Sequence, residues 1–124
     1  MPNRANDQFR RLVESSPDGI LITRDSRVEF ANPAAVRLFG ASAPEQILGK
    51  SVYEILHQES HEVIRDRIAR LLRGESLPPA EEKIARLDGG VTDAEVNSTL
   101  LDAETGSIQV IVRDITDPRQ LDAR

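Results

Sequence analysis

Two segments with strand-like hydrophobic alternation, residues 19–31 and 82–116, bracket a run of short helical patterns, and this order constrains the fold more than any other feature of the chain. In the first segment, Gly19 to Thr23 is rich in strand formers, Arg24-Asp25-Ser26-Arg27 reads as a turn, and Val28 to Ala31 returns as a second strand. In the second, residues 82–88 lead to an Asp88-Gly89-Gly90 hairpin turn. Ala94, Val96 and Leu100 then alternate with Asp93, Glu95 and Asn97, and Glu104-Thr105-Gly106 turns the chain into a last strand over 107–116. That strand carries Ile108, Val110 and Val112 on one face and Ile111 and Ile115 on the other. Hairpins at both ends with helices between them demand an antiparallel sheet with helices on one face, an α+β layout rather than a βαβ one.

The intervening residues 33–73 switch to helical spacing. Asn32-Pro33 supplies an N-cap and a proline at the first helical position, and the short helix carrying Ala35, Leu38 and Phe39 stops at Gly40. A further helical turn is expected at Pro44 to Gly49 and another apolar stripe at Val52, Ile55 and Leu56. Ile64, Ile68, Leu71 and Leu72 then follow i, i+4, i+7, i+8 in one longer helix closed by Gly74. Before the first hairpin, a flexible lead-in over residues 1–6 precedes a short amphipathic helix at 7–15, whose Phe9, Leu12 and Val13 either cover the sheet or form a seam with a second copy. After the last strand, Asp117-Pro118-Arg119-Gln120 has the chemistry of a helix start, so residues 117–124 read as the first turns of an exit helix.

At 124 residues the chain is the size of one domain, large enough to fold without disulfides or structural metal. It has no cysteine, which excludes thiolate metal sites, iron–sulfur clusters and thiol catalysis. A net charge of −5 with both signs interspersed, and only four aromatic residues, argue against a nucleic-acid face. No apolar run approaches the roughly 18 residues of a membrane span, so no membrane contact by this segment is expected. His57 and His61 stand i, i+4, half of a zinc pattern, but Gln58 replaces the glutamate of the metalloprotease form and no third ligand is evident, so no metal is assigned. No nucleophile elbow or phosphate-binding glycine loop occurs, and Glu81-Glu82 reads as a solvated face.

The stretches Pro17-Asp18-Gly19-Ile20, Val28 to Ala35, Leu38-Phe39-Gly40, Leu48-Gly49-Lys50-Ser51, Leu56 to Ser60, Arg86 to Gly90 and Arg113-Asp114-Ile115-Thr116 resemble, in order, the Per-Arnt-Sim (PAS) sensory domains of bacterial signalling proteins. The resemblance covers about residues 9–119 and implies a PAS domain at 7–116: a five-stranded antiparallel sheet, short helices on one face, a flanking N-terminal helix and an internal cavity. It implies a cytoplasmic, non-catalytic input domain that binds a small ligand or partner. The signal would pass through Asp114, Ile115, Thr116 and Arg119 to a C-terminal histidine kinase, diguanylate cyclase or transcription regulator in the same parent chain. The alternative is a ligand-free dimerisation or interaction module of the same fold, and in either case a homodimer through the N-terminal helix and sheet is expected. Family members place a basic residue where this chain has Pro118, which leaves Arg113 or Arg119 to meet Asp114.

Phe39, Ile64, Ile68, Leu72, Val96, Leu100 and Ile111 are the candidate cavity lining, for an apolar or weakly polar molecule of unknown identity; the same residues would equally serve as plain core. Arg86 and Arg113 are the candidate inward charges. Haem is disfavoured because the stretch Glu75 to Glu81, where the oxygen-sensing relatives place their ligand, lacks histidine, and the covalent flavin adduct of the light-sensing relatives is excluded by the missing cysteine.

Overall fold

The structure, a computed structural model, describes residues 4–115. Five antiparallel strands form one sheet in the order β2-β1-β5-β4-β3, with β1 at Gly19–Arg24, β2 at Arg27–Ala31, β3 at Ala80–Ala85, β4 at Val91–Asp102 and β5 at Ser107–Asp114. The order follows from the hairpins: β1 and β2 pair through a two-residue turn, β3-β4-β5 form a meander, and β5 closes the sheet against β1. At the first turn Asp25 and Ser26 both take positive φ (53° and 62°), the geometry that matches the right-handed twist of two strands.

Helices α1 (Arg4–Ser15), α2 (Pro33–Leu38), α3 (Val52–Ile55) and α4 (His61–Leu72) are joined by 3₁₀ turns at Pro44–Gln46 and Gln58–Ser60. Helix α1 starts at Arg4, inside the expected lead-in, and Thr116 and residues 117–124 lie outside the described residues. Four-residue α3 is held by a capping box in which Ser51 accepts from the first turn and Glu54 reaches back to the Ser51 amide. The inner sheet face and the helices share one core built on Leu21, Val28, Phe39, Ile47, Ile55, Ile84, Val96 and Val112.

Strand β3 ends three residues before the expected Asp88 because the turn to β4 belongs to α2. Leu87 donates its amide to the Phe39 carbonyl (2.9 Å), and Arg86 Nη1 donates to the Leu38 carbonyl (2.9 Å) while its guanidinium pairs with Asp88 (2.8 Å). The cation thus sits on the carbonyl end of a short helix, where it is electrostatically favoured. Gly40, at φ +71°, is wedged into this junction, and a Cβ there would meet Asp88 Cγ at 3.1 Å and Arg86 Cβ at 3.2 Å. Gly74, at φ +88°, has nothing within 4 Å of the same atom. Gly40→Ala is therefore expected to lower stability by roughly 2 kcal/mol and Gly74→Ala by about half as much, since only the first adds crowding to left-handed strain. Thermal melts of the two variants give the comparison; equal losses would contradict it.

Candidate functional site

Between the inner face of the sheet and helices α3 and α4 lies a cavity of about 50 Å³. Strand parity decides its floor: Leu21 and Thr23 from β1, Val96 and Ser98 from β4, and Ile108, Val110 and Val112 from β5 point to the same side. Helical spacing decides its roof. Ile64, Arg67, Ile68 and Leu71 stand at i, i+3, i+4, i+7 on one stripe of α4, with Val52 and Ile55 of α3 and Leu56 just after it completing the roof.

Two charged residues interrupt these apolar walls. Glu82, on β3, is only 5% exposed, and its neighbour Ile84, two residues on along the same face, is fully buried. The Glu82 carboxyl makes no side-chain hydrogen bond or ion pair among the described residues, and burial pushes it up to about 7, with the nearby positive charge of Arg67 acting in the opposite direction. Arg67 Nη2 is itself buried without a hydrogen-bond partner. A guanidinium N–H out of water with no acceptor, close to a carboxyl it does not pair with, is an arrangement that folding alone disfavours.

The expected lining divides accordingly. Phe39, Ile64, Ile68 and Val96 border the cavity, whereas Leu72, Leu100 and Ile111 do not. Leu72 is half exposed because it stands about 80° round the helix from Ile64, while Leu71, about 20° away, is buried. Leu100 shares the inner face but lies two residues further along β4, beside Leu71, Gly74 and Leu77. Ile111 alternates with Val110 and Val112 and so belongs to the outer face, where it joins Ile20, Ile22 and Phe30 against Phe9 and Val13 of α1. Arg113 is likewise outward, paired with Glu95 at 2.9 Å, and Arg86 is committed to α2. Neither is the inward charge; Glu82, expected on a solvated face, and Arg67 are. Their spacing carried the signal, since Glu82 shares parity with Ile84 and Arg67 stands three residues from Ile64.

The histidines have structural partners. His57 Nδ1 accepts from the Glu59 amide (3.1 Å), and the His61 ring lies 3.0 Å from the Leu56 carbonyl and edge-on to Tyr53. Among the described residues no three His, Asp or Glu side chains gather as a metal site, and no helix is long and apolar enough to cross a membrane.

The five-stranded antiparallel sheet, the short helices on one face and the cavity between them are the architecture that the sequence resemblance implied, and the family model for the PAS fold matches residues 7–115. The chain belongs to the PAS family. It is 32% identical over 93 residues to sporulation kinase A of Bacillus subtilis, covering 75% of this chain but only 15% of that much longer protein. The PAS domain of an HTR-like protein from Haloarcula marismortui superposes with a TM-score of 0.73 at 25% identity, covering 90% of this chain and 92% of that one. A PAS domain from Colwellia psychrerythraea gives 0.79 at 20% identity, over 90% and 98% of the two chains. As a PAS domain with a kinase among its relatives, the chain fits a sensory role.

Of the residues expected to transmit the signal, Asp114 ends β5 opposite Ala94, and the Ile115 amide donates to the Asp93 carbonyl at 3.2 Å. Thr116 and Arg119 lie outside the described residues. Arg113 turns to Glu95, and Asp114 lies within the field of Arg86.

Proposed function

We propose that this PAS domain is a non-catalytic input module that takes a small molecule into its core cavity and passes the change in occupancy along β5 to a C-terminal effector, such as a histidine kinase, in the same cytoplasmic parent protein. The observation that carries the reading is continuity: Ile108, Val110 and Val112 floor the cavity, Asp114 ends the same strand two residues after Val112, and Ile115 follows directly. A ligand pressing on the inner face of β5 changes its curvature, and the two residues at its end move with it. The cavity is well below the roughly 300–1,000 Å³ of pockets for drug-sized ligands, so haem and flavin do not suit it and a compact ligand does.

The second reading, a ligand-free dimerisation module, draws on the other face of the sheet. Phe9 and Leu12 of α1 are 67% and 69% exposed, and the groove between α1 and the sheet is lined by Phe9, Val13, Ile20, Ile22, Phe30 and Ile111. A second copy covering this face gives the expected homodimer, and dimerisation is compatible with both readings.

Native mass spectrometry of gently extracted protein separates them. The expected spectrum shows a small bound molecule in the wild type and none in Ile68→Phe, which fills the cavity from α4 while leaving the sheet untouched. Repeated absence of any bound mass from folded wild-type protein would favour the second reading.

A further inference from the structure

Arg67 and Glu82 place opposite demands on anything that enters the cavity, and a single ligand chemistry meets both. Arginine carries its charge at any physiological pH and offers only donors, so the buried Nη2 requires an acceptor, preferably a charged one. Glu82, nineteen-twentieths buried and without a hydrogen bond, is turned toward the same space. The groups around it are otherwise uncharged: Ala94 opposite it and Ser98 further along β4, Leu56 just after α3, and Ile64, Ile68 and Leu71 from α4, which leaves Arg67 as the one charge acting on it among the described residues.

We infer that the cavity of this PAS domain takes a short monocarboxylate of two or three carbons, its carboxylate seated between Arg67 Nη2 and the Glu82 carboxyl and its alkyl end against Ile68 and Val110. The inference rests on the receptor reading above. Size sets the carbon count: a water-sized group takes roughly 10–15 Å³ of such space, so a cavity of about 50 Å³ leaves room for about three to five heavy atoms, the size of acetate or propionate. Charge sets the class. With Glu82 holding its proton, as burial favours, the cavity carries one positive charge, which a monoanion neutralises. The protonated carboxyl then donates to one ligand oxygen while Arg67 donates to the other, a charge-assisted pair out of water. A neutral alcohol of the same size leaves the guanidinium without a counter-charge.

Because the ligand requires the protonated form of Glu82, binding weakens as that proton leaves. Calorimetric titration of the whole 124-residue chain with sodium propionate, against 1-propanol and sodium chloride at matched ionic strength, reads this directly. The expected result is one propionate per chain, with affinity falling between pH 6 and 8 and approaching a tenfold loss per unit above about pH 7, since propionate stays ionised throughout. Glu82→Gln is expected to keep the affinity and abolish its pH dependence, and Arg67→Met to lose at least roughly tenfold. Arg67→Lys, which keeps the charge without the planar fork, should fall between. If 1-propanol shifts the Val110 and Ile108 methyl resonances and propionate does not, or if wild-type affinity is flat with pH, the ligand class is overturned while the receptor reading stands. If no probe moves those resonances, the monocarboxylate inference falls, and the receptor reading falls with it only if native mass spectrometry also finds no bound mass.

Discussion

Glu82→Gln is expected to raise stability at pH 8 by about 3 kcal/mol and to leave it unchanged below about pH 4.5. The sign comes from proton linkage. The folded carboxyl holds its proton up to about pH 7, whereas an unfolded glutamate releases it near 4.5. Across that window the folded state binds more protons, so wild-type stability falls as pH rises and is flat above about 7, once both states are ionised. Glutamine fills the same space without a charge to desolvate. The shifted carboxyls on the surface act in the other direction: Glu75, held down by hydrogen bonds from Arg70 and Arg73, and Asp88, held down by Arg86, add stability that is lost as pH falls through their lowered values. They are common to both proteins, so the difference between the two denaturation curves, taken from pH 4 to pH 9, isolates Glu82. Parallel curves would show that its carboxyl is not held out of water.

Asn32→Ala is expected to have the largest destabilising effect of any single substitution to alanine outside the apolar core, about 4 kcal/mol. The side chain is 1% exposed and fully hydrogen-bonded. Its Oδ1 accepts from the Ala35 amide (3.0 Å), the helix cap, and also from the Ile20 amide (2.8 Å). Its Nδ2 donates to the Val13 carbonyl at the end of α1 (2.8 Å) and to the Asp18 carbonyl before β1 (3.1 Å). One amide therefore joins α1, β1 and α2, and alanine leaves two donors and two acceptors without it. A lost cap is worth about 1 kcal/mol, and each buried orphan that water cannot reach adds about 1–3 more. Asn32→Asp keeps the acceptor and loses the donor, so it should retain the α2 cap while releasing α1. Urea denaturation reads the first claim; amide exchange in α1 reads the second.

Asn32 also shows how far the sequence could be read. Its cap was legible, because an asparagine before a proline at a helix start has one local job. Its bonds to Val13 and Asp18 were not, since they join residues that only the folded chain brings together. The sheet was legible for the same local reason: alternation in β4 and β5 and the turn residues between them leave little choice of pairing. Placement within the cavity depended on phase. Leu71 and Leu72 are both leucines on one helix, and a difference of 100° puts one inside and the other half in water. Ile111 carries the strand composition of its neighbours but the opposite parity. Glu82 was hidden by its chemistry, because a carboxylate next to Glu81 reads as surface unless the buried Ile84 two residues later is used to fix the face.

Occupancy of the core should be felt where the chain leaves the sheet. Amide hydrogen exchange at Ile115, whose N–H closes on Asp93, measures this in wild type and Ile68→Phe. Filling the cavity from α4 is predicted to change the Ile115 exchange rate by roughly threefold or more while leaving Val28, on the far strand, as it was. A response confined to α4 and the cavity wall, with Ile115 unmoved, would contradict it.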